Sequence, residues 1–242
     1  MSPLPESATI RTMNEQLISD NIPKLRQRVR RSAEKSEFGN SDILVIAVSK
    51  TRPAEDIRVA HAHGLVNFGE NYLQEAVQKI TALQDLPLTW HFIGPIQSNK
   101  TSLIAEHFDW VHTVDREKIA RRLSDQRPTN LPPLQVCVQI NISGESSKSG
   151  ASMKELPNLA QTILQLPRLQ LRGLMAIPEA NAGTAQQHEV FSLMRKALAQ
   201  LRPLAPAIDT LSMGMSDDLE AAILEGASAI RVGTAIFGPR NR

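Results

Sequence analysis

The sequence predicts an α/β fold: a single (β/α)8 barrel preceded by one extra helix. Three observations carry this. The chain has 242 residues, close to the roughly 250 typical of such barrels. Eight short strand-like runs can be counted along it. Helix-like stretches separate each strand from the next, and strict alternation implies parallel strands joined by right-handed crossovers. An open doubly wound sheet is the runner-up, because strand counts from one sequence slip easily by one or two.

Residues 1–9, which include Pro3 and Pro5, are expected to form a flexible N-terminal segment. Residues 10–242 then make one barrel domain, with no linker long enough to mark a second. A helix over about 10–36 comes first and packs outside the barrel or covers one end. Pro23 should kink or divide it. The strand-like runs are 43–49, 66–69, 89–93, 110–114, 134–140, 169–177, 208–213 and 228–232. The helix-like stretches between them are 53–63, 71–84, 98–107, 116–126, 151–166, 184–202 and 216–226. Little beyond a short helix fits after Val232.

Composition narrows the function classes. At 41% apolar residues the chain can bury a substantial core, yet no stretch approaches the roughly 18 apolar residues of a membrane span. The start, Met1-Ser2-Pro3-Leu4-Pro5-Glu6, lacks the order of a signal peptide. One cysteine, Cys137, excludes an internal disulfide and reads as a small core residue in a reducing compartment. A cytoplasmic protein is expected. The net charge of +2 and the 4% aromatic content argue against nucleic acid. The cluster Lys24, Arg26, Arg28, Arg30 and Arg31 reads as a solvated helix face.

Lys50 is the most informative residue. It follows the apolar run Ile43-Leu44-Val45-Ile46-Ala47-Val48-Ser49, at the strand end where α/β proteins bind ligands. A sheltered amine there has reason to lose its proton and react with an aldehyde. On Lys50 alone, the blander reading of a solvated lysine at a strand terminus is preferred. Lys100 and Lys148 lack the buried strand setting and read as contacts for substrate or anion.

Other polar clusters follow the later strands. The loops after strands seven and eight, Ser212-Met213-Gly214-Met215-Ser216-Asp217-Asp218 and Arg231-Val232-Gly233-Thr234, are the phosphate candidates. Glycine permits close backbone approach, and helix-start N–H groups favour anions. Alternatively, Ser216 simply caps a helix beginning at Asp217. Arg231 lies among apolar residues and needs a partner. Either Glu225 or Asp209 supplies a salt bridge, or the guanidinium faces a ring nitrogen such as that of pyridoxal phosphate. His91 reads as a satisfied core or supporting histidine, and His61 and His63 as residues favoured at a helix end. No zinc spacing, Walker loop, nucleophile elbow or dinucleotide fingerprint appears.

Six clusters in order closely resemble the pyridoxal phosphate homeostasis protein family, single-domain relatives of alanine racemase. They are 47–51 (Ala-Val-Ser-Lys-Thr), 68–72 (Phe-Gly-Glu-Asn-Tyr), 90–100 from Trp90 to Lys100, 173–176 (Gly-Leu-Met-Ala), 212–218 and 231–238. The resemblance covers about residues 10–240. It implies pyridoxal 5′-phosphate held as an aldimine on Lys50, with Arg231 near the pyridine nitrogen. It also implies phosphate contacts from Ser216, Gly233 and Thr234, with Ser212, Met215 and Asn71 completing the cradle. In the racemases a second β domain supplies a tyrosine opposite the lysine. This chain has no room for that domain and its one tyrosine is Tyr72, so two-base racemisation is not expected.

Three functions compete. The resemblance implies a carrier that buffers the cofactor, passes it to apoenzymes by transient contact, and exists as a monomer. A racemase or decarboxylase of low activity using the same cofactor is the second. A barrel aldolase using Lys50 on a phosphorylated sugar is the third.

Overall fold

The computed structural model describes residues 6–38, 42–142, 149–178 and 183–239, with side chains from residue 12 onward. The chain begins with α1 (Glu6–Lys35). Ile18, Ile22, Leu25 and Val29 are buried along it, at the three- and four-residue spacing of one helical face. That face packs on the outside of the barrel. Pro23 does not divide the helix, which continues through it. Its ring stands on the exposed face.

Eight strands close into a parallel barrel in sequence order. They are β1 (Leu44–Val48), β2 (Asn67–Glu70), β3 (Thr89–Phe92), β4 (Trp110–Val114), β5 (Leu134–Gln139), β6 (Leu169–Met175), β7 (Thr210–Ser212) and β8 (Ala229–Val232). Closure excludes the open-sheet alternative. It is made by β8 pairing with β1, in a register that places Arg231 opposite Ile46 and Val232 opposite Ala47. The crossovers carry α2 (Ala54–Ala62), α3 (Leu73–Ala82), α4 (Thr101–His107), α5 (Glu117–Gln126), α6 (Leu156–Leu164), α7 (Thr184–Leu201) and α8 (Leu219–Leu224). A short α9 (Thr234–Phe237) follows β8, and α1 packs against α2, α8 and α9.

The main apolar core lies between the sheet and its helices, where Phe68, Val111, Ile119, Leu123, Leu174 and Phe191 are buried. The barrel interior is different. His112 on β4 bonds Ser212 on β7, and these strands are not neighbours in the sheet, so the bond crosses the inside of the barrel. Strand ends are shorter than the sequence reading at several places. β1 stops at Val48, β6 at Met175, and α8 begins only at Leu219. The two strands end early and α8 starts late, which lengthens the loops at the mouth. Cys137 is a buried thiol in β5, and burial pushes it up to about 12.

Among the described residues, no helix is long and apolar enough to cross a membrane. No group of three or more His, Cys, Asp or Glu side chains is arranged to hold a metal there.

Candidate functional site

The C-terminal ends of the strands surround one cavity that gathers seven of the eight sequence-predicted residues. Lys50, Asn71, Met215, Ser216, Arg231, Gly233 and Thr234 all line it, together with Val48, Ile93, Ile177 and Arg52. Ser212 does not. It is fully buried and lies behind Arg231. Lys100 lines a neighbouring hollow with Tyr72 and Gln74 instead. Lys148 lies outside the described residues.

Lys50 is delivered by β1, one residue beyond the fully buried Ser49. The parallel register of β1 with β2 pairs Val48 with Gly69, and Ser49 N–H continues the ladder to Gly69 O at 3.1 Å. The turn then closes with Thr51 at φ 63°, a left-handed conformation that is strained for a β-branched residue. Arg52, which the sequence reading did not single out, donates to Gly238 O at 2.6 Å and Pro239 O at 2.9 Å. It thereby ties the segment after α9 to the lysine turn. Its only sequence signal was its place two residues after Lys50.

Arg231 forms the floor on the β8 side, only 4% exposed. It donates to Ser212 O at 2.6 Å, Ser212 Oγ at 2.9 Å and Ala176 O at 2.9 Å. Burial pushes its pKa down to about 10, opposed mainly by the charge of Asp218. The guanidinium is therefore still cationic at neutral pH. Among the described residues it has no carboxylate ion-pair partner. The two carboxylates considered from sequence are engaged elsewhere, Glu225 with His188 and Arg195, and Asp209 with Arg172.

Behind Arg231 runs a chain of polar side chains that the sequence did not reveal. Ser212 Oγ lies 2.8 Å from His112 Nδ1, His112 Nε2 lies 2.9 Å from His91 Nδ1, and His91 Nε2 lies 3.0 Å from Asn67 Oδ1. Burial lowers the His91 pKa to about 3. Burial, with His91 and Arg231 adding to it, also holds His112 well below its ordinary value. Both rings are neutral. An amide oxygen only accepts, so His91 Nε2–H donates to Asn67 and each neutral ring passes the same polarity onward. Ser212 O–H thus donates to His112 and accepts from Arg231. His91 is the satisfied core histidine expected.

The anion candidates lie on the loops after β7 and β8, and β8 is the strand beside β1. Ser216 does not cap α8, because that helix begins at Leu219 with Asp218 before it. Its hydroxyl instead accepts from Ala235 N–H at 3.2 Å, joining the β7 and β8 loops. Gly214 turns the β7 loop at φ 93°, and a Cβ there would lie 2.6 Å from the Ala222 Cβ of α8. Gly94 has a similar role across the mouth. A Cβ on it would lie 2.2 Å from Asn71 O, so only glycine lets the β3 loop reach Asn71.

Asn71 supplies the observation that tests what the cavity can hold. Its Oδ1 is buried with no hydrogen-bond partner, which is costly unless a ligand provides a donor. A primary amine at one edge, a guanidinium on the floor, and two hydroxyls on linked glycine-bearing loops make a donor set of three kinds. This set fits a small aromatic phosphate carrying an aldehyde.

Comparison with known proteins places this geometry. The family model for the alanine racemase N-terminal domain matches residues 17–241, which defines the class as barrels of that type. Pyridoxal phosphate homeostasis proteins align along almost their whole length. The one from Pseudomonas aeruginosa is 59% identical over 224 residues, covering 93% of this chain and 96% of the relative. The one from Escherichia coli K12 is 52% identical over 227 residues, covering 93% and 97%. The chain belongs to the pyridoxal phosphate homeostasis protein family. Among solved structures, Synechococcus elongatus PipY with PLP bound is 38% identical with a TM-score of 0.77, covering 91% of this chain and all of that one, 100%.

Proposed function

We propose that this chain binds pyridoxal 5′-phosphate through Lys50 and works in intracellular homeostasis of that cofactor, buffering it and supplying it to apoenzymes. The observation that carries the reading is the convergence of Lys50, Arg231, Ser216, Thr234 and the partnerless Asn71 oxygen on one cavity. When bound, the group supplies an aldehyde that condenses with a primary amine and releases water. Lys50 is the amine. Arg231, remaining charged, would serve the ring nitrogen as a donor, so that nitrogen would need no proton of its own. Ser216, Gly233 and Thr234 hold the phosphate, with Met215 beside them. Asn71 accepts a proton donor at the cavity wall. Ser212 acts from behind, by fixing Arg231. The family membership and the PLP-bound relative support the same ligand.

A carrier is favoured over a racemase or decarboxylase. The chain's one tyrosine, Tyr72, is 54% exposed and lines the neighbouring hollow rather than the Lys50 cavity. No tyrosine therefore stands ready to exchange a proton opposite the lysine. The working form is a cytoplasmic monomer that meets apoenzymes transiently.

Borohydride reduction of the protein saturated with pyridoxal 5′-phosphate, followed by peptide mapping, tests the assignment. Label should appear on Lys50 in the native protein and vanish in Lys50→Ala, which should stay folded. An unlabelled Lys50 overturns the reading. With D- or L-alanine, sustained turnover of about 1 per second or faster would instead establish an enzyme.

A further inference from the structure

The two peptide groups on either side of Lys50 are held by one ionic cluster, buried at Glu70 and Lys79 and partly exposed at Glu75. Lys79, on α3 and 6% exposed, donates from Nζ to Ser49 O at 2.7 Å. That carbonyl belongs to the peptide bond entering Lys50. Glu75, one turn earlier on α3, accepts Thr51 N–H at 2.6 Å, and that amide belongs to the peptide bond leaving Lys50. Lys79 Nζ bonds the same Glu75 oxygen at 2.6 Å, so the two grips are joined. Below them, the fully buried Glu70 accepts from Lys79 Nζ and from Ser49 Oγ, both at 2.7 Å.

None of the three side chains lines the ligand cavity. Buried ions are an inefficient way to stabilise a fold, since well-packed apolar residues commonly do as well or better. Hydrogen bonds from ions are, however, short and directional. Here they end on both flanks of one residue and enforce the left-handed Thr51 turn, a conformation that persists only when its surroundings impose it.

We propose that Glu70, Glu75 and Lys79 are positioning residues for Lys50: by clamping Ser49 O and Thr51 N–H they set the direction in which its amine enters the cavity, and so the rate of covalent attachment. This rests on Lys50 being the attachment lysine. The clamp contributes to orientation of the amine and leaves the phosphate and ring contacts alone.

The experiment compares Glu75→Ala, Glu75→Gln and Glu75→Asp with the native protein. Attachment of pyridoxal 5′-phosphate is followed by stopped-flow absorbance. Affinity for pyridoxine 5′-phosphate, which has an alcohol in place of the aldehyde, is measured by calorimetry. Small misplacements of a reacting group can cost up to about a hundredfold in rate. E75A should slow attachment by about tenfold or more, with pyridoxine phosphate affinity held within about twofold. E75Q should recover most of the rate, because its amide oxygen still accepts from Thr51. E75D keeps the charge but withdraws the carboxylate by one carbon, and should be slow. Native attachment rates in E75D, or in a folded E75A, overturn the clamp, as does a parallel loss of pyridoxine phosphate affinity. If E75A does not fold, E75D decides. Peptide mapping of the native protein separates the two claims: absence of label on Lys50 there refutes the lysine assignment, whatever the variants do.

Discussion

Acid should destabilise this barrel through His91. The ring is fully buried, and its two nitrogens are committed to His112 and Asn67. Burial lowers its pKa to about 3 in the fold, whereas in the unfolded chain it titrates near 6.5. Between those values the unfolded state binds one more proton, so stability is lost as the pH falls below about 6.5. The slope approaches about 1.4 kcal/mol per pH unit and levels off near pH 3, where the folded ring also protonates. From pH 7 to pH 5 the loss from this residue is about 2 kcal/mol, with His112 adding to it in the same direction. That is a large part of the roughly 5–15 kcal/mol by which domains are stable. Urea unfolding at pH 7, 6 and 5 should show the fall. In His91→Gln the drop over this range should be about 2 kcal/mol smaller, even though the variant is weaker at pH 7. An unchanged pH dependence in H91Q would refute the reasoning and mean that the ring is charged in the fold or accessible to water.

Two further outcomes follow from the cavity walls. Arg231→Gln removes the guanidinium from Ser212 O, Ser212 Oγ and Ala176 O. It should lower cofactor affinity, change the bound spectrum, and cost about 1–3 kcal/mol for each buried acceptor left unsatisfied. An unchanged spectrum would remove Arg231 from the ring nitrogen. Gly94→Ala should force the Asn71 backbone away, given the 2.2 Å approach a Cβ would make to its oxygen. Thermal melting and cofactor titration should both report a loss of about 2 kcal/mol or more, and native values for both would contradict that close contact.

The barrel and its mouth were legible because strand and helix alternate without exception, and each polar cluster directly follows an apolar run. Strand order then put Lys50, Asn71, Ser216, Arg231 and Thr234 on one rim. What escaped depends on register and on side-chain reach. The Lys79 grip on Ser49 spans from α3 to the β1 turn, and nothing in the local pattern around either residue announces it. The bond from Ser212 to His112 crosses the barrel between residues 100 positions apart. Ser216 looked like a helix cap because α8 was read as beginning three residues too early. Its hydroxyl became a strut between two loops. Of the two partners expected for Arg231, the carboxylate is absent among the described residues; Ser212 and the Ala176 carbonyl fix the guanidinium at the cavity instead.

The first helix has a consequence for how the protein is made. Arg28 Nη2 donates to Ser216 O at 3.0 Å, and Asn21 donates to Ile236 O at 3.1 Å across a separation of 215 residues. The β7 loop and α9 therefore both lean on a helix that is synthesised well before either of them. Pairings so distant in sequence form late. A nascent chain long enough to show its lysine is still short of the residues that grip a phosphate, so a reactive amine and its retaining site become functional together, once the β7 and β8 loops have joined α1.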